Sequence, residues 1–131
     1  MPWLTDTNVL SELVRPRPNS GVLEWAAGVE QISVSVVTLE EILFGLAWKP
    51  NARVRAWFDR FFAEACDVVP ITQPIAERAG VMRGGLRAKG ITRSQADTLI
   101  AATAQVQGLT LVTRNVRDFE GCRIDLLNPF V

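Results

Sequence analysis

The chain has 131 residues, 14 of them basic and 14 acidic, with no histidine and no tyrosine. The missing histidine removes imidazole as general base or metal ligand and excludes every hydrolytic triad built on it. A formal net charge of zero with 48% hydrophobic residues describes an ordinary globular chain, and on its face excludes one that grips nucleic acid by bulk positive potential.

By length the chain reads as one domain over residues 1–131. The first run, residues 3–6, predicts a strand that ends in a carboxylate, and residues 9–14 predict a helix that Asn8 can cap. The stretch Arg15-Pro16-Arg17-Pro18-Asn19-Ser20 is a turn into a second helix over residues 22–28. Residues 32–37 read as the second strand and run through Thr38 into a helix over residues 39–47. A helix over residues 52–65 carries Val54, Trp57, Phe58, Phe61, Phe62 and Ala65 on one stripe, which reads as core. Residues 67–71 predict the third strand and residues 75–89 a helix in which Gly84-Gly85 implies a kink or the close approach of a partner. A helix over residues 95–107 follows Ser94, then strands over residues 109–113 and 123–127. Strands separated by helices require crossover connections, so the fold class is α/β, with a mainly parallel sheet of about five strands and helices on both faces. Cys66 and Cys122 form no metal-binding spacing and indicate a reduced, cytoplasmic setting. No signal peptide and no membrane segment are expected.

In such a sheet, ligands bind beyond the carboxyl ends of the strands. Four junctions carry an acid there: Asp6, Glu41 after Thr38, Asp97 after Ser94, and Asp118 after Thr113-Arg114-Asn115. Three of them read as a capping residue followed three positions later by an acid, which is an ordinary way to start a helix. Asp6 fits no such box and has no obvious local donor. If the four turns share one edge, the carboxylates repel by roughly 3 kcal/mol per pair at about 5 Å and a dielectric near 20. A hard divalent cation relieves that repulsion. Without histidine, a metal-activated water is the natural nucleophile and a phosphodiester the substrate it suits.

The motifs Asp6-Thr7-Asn8-Val9-Leu10-Ser11-Glu12, Thr38-Leu39-Glu40-Glu41-Ile42-Leu43-Phe44-Gly45, Asp97-Thr98-Leu99-Ile100-Ala101-Ala102 and Thr113-Arg114-Asn115-Val116-Arg117-Asp118 resemble, in order and spacing, those of PIN-domain ribonucleases. The nearest resemblance is to the VapC/FitB-like toxins of type II toxin–antitoxin modules. It implies an α/β/α sandwich and an endoribonuclease dependent on Mg²⁺ or Mn²⁺. It also implies a small antitoxin partner, itself DNA-binding, and a homodimer that joins it in a hetero-oligomer. Carried over by motif, the acids fall on Asp6, Glu41 and Asp97, with Asp6 and Asp97 as metal ligands. The fourth place departs from part of the family: Asn115 stands where some members have aspartate, while Asp118 matches the acid of others. Thr113 and Asn8 take supporting roles, orienting ligands or the acids themselves. Part of the aromatic stripe, with Leu46 and Trp48, is a candidate antitoxin groove.

Arg83, Arg87, Lys89 and Arg93 lead toward Asp97 and read as an RNA-phosphate ridge, with Arg114 beside the fourth acid. Two other classes remain open. A non-catalytic PIN-like module for binding RNA or protein predicts lost acids. An aspartyl-phosphate enzyme wants a second acid beside Asp6 and a lysine at a strand end, and the only lysines are Lys49 and Lys89. The neutral total hides an asymmetry: residues 1–77 hold ten acids and six bases, residues 78–131 four acids and eight bases. Neutrality therefore does not argue against RNA.

Overall fold

A computed structural model describes residues 3–131. The elements run β1 (Trp3–Thr5), α1 (Thr7–Leu13), α2 (Ser20–Ala27), β2 (Ile32–Ser35), α3 (Val36–Trp48), α4 (Ala52–Glu64), β3 (Cys66–Val69), α5 (Gln73–Ala88), α6 (Gln95–Gln107), β4 (Thr110–Val112) and β5 (Leu126–Leu127), with a 3₁₀ turn over Val116–Phe119. All five strands are parallel, in the order β3-β2-β1-β4-β5. The chain builds outward from β1 to β3 on one side, then crosses back through α5 and α6 to place β4 on the other. β1 and β4 therefore flank the point where strand order reverses, which is where a parallel sheet opens a crevice.

Alternation along the short strands feeds two helical layers. Leu4 and Leu111 pack with Leu86 of α5 and with Ile100, Ala101 and Ala104 of α6. On the opposite face, Ile32 and Val34 pack with Leu10 of α1 and with Phe58 and Phe61 of α4, while Val112 packs with Val9 and with Val22 of α2. The predicted aromatic stripe is thus core at Phe58 and Phe61, with Val54, Trp57, Phe62 and Ala65 packed against it. The sandwich and its five parallel strands agree with expectation.

Boundaries differ systematically. Helices α1, α2, α3 and α5 begin two or three residues earlier than predicted. The prediction began each helix at the first apolar residue of the repeat, whereas the helix begins after a polar cap: Asp6, Asn19, Ser35 and Thr72 each accept a backbone N–H of the first turn. Pro74 sits in the first turn of α5, where its missing N–H costs nothing. Two caps are corrected by this. Asn8 lies inside α1 and Thr38 inside α3, so neither caps. The final strand starts later than predicted, because Gly121 and Arg123 adopt positive φ and break the extended run. α5 continues unbroken through Gly84-Gly85. Among the described residues, no helix is long and apolar enough to cross a membrane.

Candidate acidic active site

Asp6 ends β1 and caps α1, so its extended backbone (φ −76°, ψ 157°) aims the carboxylate at the helix N-terminus. It is 7% exposed. The amide of Thr7 donates to Oδ1 at 2.8 Å, while the Asn8 amide at 3.1 Å and the Thr113 hydroxyl at 2.8 Å donate to Oδ2. The expectation that Asp6 lacks local donors is therefore corrected. The donors were hidden because two follow it directly and the third arrives from the neighbouring strand. Burial nonetheless pushes its pKa above the ordinary value, against those three bonds, and the charge of Asp118 adds to the rise.

Asn8 and Thr113 form the frame around this carboxylate. The Asn8 carboxamide donates to Thr113 Oγ1 at 3.2 Å, and its carbonyl oxygen accepts the Arg114 amide at 3.0 Å. The fully buried Thr113 hydroxyl also accepts the Asn115 amide at 3.1 Å. Asn115 offers no capping bond from its side chain to the 3₁₀ turn behind it, which corrects the capping role its spacing to Asp118 implied. Asp118 lies exposed in that turn.

Glu41 comes from α3. Its carboxylate accepts the Thr7 hydroxyl at 3.0 Å, tying α3 to the start of α1. Its neighbour Glu40 lies along a separate depression with Val36, Leu39, Leu43 and Phe44, so of the two, Glu41 faces the site. Burial raises the Glu41 pKa, and Asp6, Asp97 and Glu40 raise it further. Asp97 stands in the first turn of α6, and its amide donates to the capping Ser94 hydroxyl at 3.0 Å, as the spacing predicts. Its pKa is also raised, first by burial and then by Asp6 and Asp118, while Ser94 and the Arg93 charge pull it down. Asp6, Glu41 and Asp97 thus meet at a single edge of the sheet, where Asp6 and Asp97 also feel the charge of Asp118. Among the described residues, none of them has a basic side chain within ion-pair distance.

These donors are all oxygens, from separate elements, carrying uncompensated negative charge. That set fits a hard divalent cation in kind. Among the described residues, no three Asp, Glu or Cys side chains close tightly enough to enclose an ion by themselves. One or two carboxylates with water is the way magnesium is ordinarily held.

The predicted basic ridge divides in two. Arg83, Arg87 and Arg93 line one depression with Gly80, Gly84 and Thr92. Lys89 lies on another flank of α5 with Arg78 and Arg123, because two residues along a helix turn the side chain about 200° away. Arg114 places its guanidinium 4.8 Å over the Phe130 ring. A groove of about 370 Å³ runs from Thr7, Ser11 and Glu41 between α1, α3 and α4, past Leu46, Val54 and Phe58. Leu46 lines it as expected, whereas Trp48 is 68% exposed and stacks toward Phe44 elsewhere. Thr7 is the site residue that sequence reasoning passed over. Its signal was available, since the residue after a strand-end cap sits at the same rim as the cap.

The sequence profile described as "PIN domain" matches residues 4–121. A VapC ribonuclease of Sinorhizobium fredii is 32% identical over 95% of both chains. The crystal structure of FitAcB from Neisseria gonorrhoeae superposes with a TM-score of 0.84 at 29% identity, covering 97% of each chain. A toxin–antitoxin complex from Klebsiella pneumoniae superposes with a TM-score of 0.72 at 29% identity, again over 97% of each chain.

Proposed function

As the chain belongs to the PIN domain family, we propose that the edge formed by Asp6, Glu41, Asp97 and Asp118 is the centre of a divalent-metal-dependent endoribonuclease, the toxin of a toxin–antitoxin pair. One observation carries this reading: acids from separate elements gather at one edge, and among the described residues none of them has a basic side chain within ion-pair distance. Relatives and neighbours bearing ribonuclease and toxin–antitoxin names support it.

Asp6 and Asp97 would hold Mg²⁺ or Mn²⁺, which when bound supplies an acidified water and neutralises charge on the phosphodiester. The residues of the chain divide the remaining work. Asn8 and Thr113 fix the Asp6 carboxylate from the Oδ2 side. Glu41 is held by Thr7 through Oε1, leaving Oε2 to accept a proton. Its raised pKa brings it closer to the neutral range in which a general base works well. Asp118, with its charge felt at Asp6 and Asp97, takes the fourth acidic place; Asn115 contributes through its backbone. The antitoxin occupies the groove between α1, α3 and α4, whose apolar length ends at Glu41 and Thr7.

The purified chain should cleave total RNA with Mg²⁺ or Mn²⁺ and stop in EDTA. Asp6→Asn and Asp97→Asn should each lose at least about a hundredfold in kcat, the scale of a lost transition-state electrostatic contact. Cleavage that persists in EDTA or in both variants overturns the proposal. Growth arrest on expression, relieved by the same substitutions, tests the toxin role.

A further inference from the structure

We infer that the depression lined by Arg83, Arg87 and Arg93 is a phosphate subsite for single-stranded RNA flanking the acidic edge; the inference rests on the ribonuclease reading for its choice of RNA. Three arginines line one concavity of about 420 Å³. Among the described residues, none of the three has a carboxylate within ion-pair distance. Like charges collected without an ion-pair partner favour an anion, and arginine matches phosphate oxygens with a planar fork of donors. Arg93 donates through Nη2 to the Glu120 carbonyl at 3.1 Å, so its guanidinium is anchored. Its Nε–H is shielded from solvent and has no acceptor.

The helix supplies an independent observation. Gly80 and Gly84 lie one turn apart in α5 and line the same depression. A side-chain carbon added at either would meet nothing within 4 Å. Packing therefore does not require glycine there, yet glycine weakens a helix interior relative to alanine. Bare backbone at those positions keeps the concavity deep between Arg83 and Arg87, which stand on the same face one turn apart. Stability is given up where a ligand would need the room.

Position selects the ligand. Arg93 lies just before the cap of α6, four residues from Asp97. A phosphate in the depression therefore belongs to nucleotides beside the bond at the acidic edge, not to a remote site. The chemistry it reads is backbone charge, so it sets where and how tightly the strand lies and carries no base preference.

The test is equilibrium binding of a fluorescently labelled single-stranded RNA to the full chain in EDTA, across a salt series. Arg83→Gln with Arg87→Gln should weaken binding about tenfold at moderate salt and flatten the slope of log affinity against log salt by about 1.4, the share of two single-strand phosphates. Arg78→Gln with Lys89→Gln removes equal charge from the other flank of the same helix and should change affinity less than about threefold, since only general charge is lost. Gly84→Ala should weaken binding while raising the melting temperature, a pairing that a damaged fold cannot produce. Equal losses in the two double variants overturn the subsite. Tighter, Arg83-dependent binding of duplex DNA or of an acidic peptide overturns its assignment to RNA. Cleavage of the same RNA with Mn²⁺ is scored separately. Arginine-dependent binding without cleavage supports the subsite and sinks the ribonuclease; cleavage with arginine-independent binding sinks the subsite alone.

Discussion

At the scale of single residues, the acids set a pH dependence opposite to that of ordinary paired carboxylates. Asp6, Glu41 and Asp97 all bind protons more tightly in the fold than their ordinary values of 3.8, 4.5 and 3.8, because burial disfavours the charged form. The native state then holds more protons than the unfolded chain, so stability rises as pH falls through the raised values and levels off below the ordinary ones. Glu12 runs the other way. The Asn19 amide and Arg15 hold its pKa down, so its contribution is present at neutral pH and lost as pH falls below the ordinary value. Without metal, the melting temperature is expected to climb as pH falls from neutrality toward the ordinary carboxylate values, and Asp97→Asn should raise it at neutral pH while flattening the climb. A monotonic fall over that range, unchanged in Asp97→Asn, would show that the acids carry no such cost. Thr113→Val tests the frame. It removes one of the three donors to the buried Asp6 carboxylate and the acceptor of the Asn8 and Asn115 N–H groups. Losing a hydrogen bond to a buried charged group costs about 1–3 kcal/mol, so denaturant unfolding should show a loss of that size, together with reduced cleavage.

Among the elements, helix starts determine where the acids go. Ser35, not Thr38, caps α3, and this sets the turn on which Glu41 lies beside Thr7. Ser35→Ala should cost about 1 kcal/mol, the usual value of a lost N-cap. Thr38→Ser, which alters a side chain inside the helix, should leave the helix start in place. Amide hydrogen exchange at Val37, the N–H that Ser35 accepts at 3.1 Å, separates the two. Hydrophobic period made every helix and strand legible, but it marks only where the buried face begins. The first turn of a helix is often polar and therefore invisible to it. The same limit explains Lys89: charge density along α5 suggested one ridge, and only the helical phase, read with the glycines, divides that density between two flanks. Asp6 and Asp97 were legible because each falls at a strand end or helix start, and Glu41 and Asp118 because of their spacing to Thr38 and Asn115. Their mutual contact through Thr7, Asn8 and Thr113 was not, since it depends on β4 lying beside β1.

For the whole molecule, the neutral total is a sum of opposed regions. An acidic edge lies next to an arginine-lined depression, with Asp97 four residues from Arg93, and in the proposed function a divalent cation balances the acids. Saturating Mg²⁺ or Mn²⁺ should therefore stabilise the fold, by about 2.7 kcal/mol at a hundred times Kd. The gain should vanish in a protein carrying both Asp6→Asn and Asp97→Asn. Calorimetry or thermal melting with and without EDTA checks this. Equal stabilisation of the double variant would place the ion elsewhere.

The bond from Thr113 to Asp6 joins residues 107 positions apart, and β1 has β4 as one of its two neighbours in the sheet. A ribosome adding roughly 5–20 residues per second needs on the order of ten seconds to travel that interval. Throughout it the nascent chain already displays Asp6, and later Glu41 and Asp97, without the strand and hydroxyl that hold the first acid in place. Order of synthesis thus leaves the frame around Asp6 incomplete until Thr113 has emerged and β4 has taken its place beside β1.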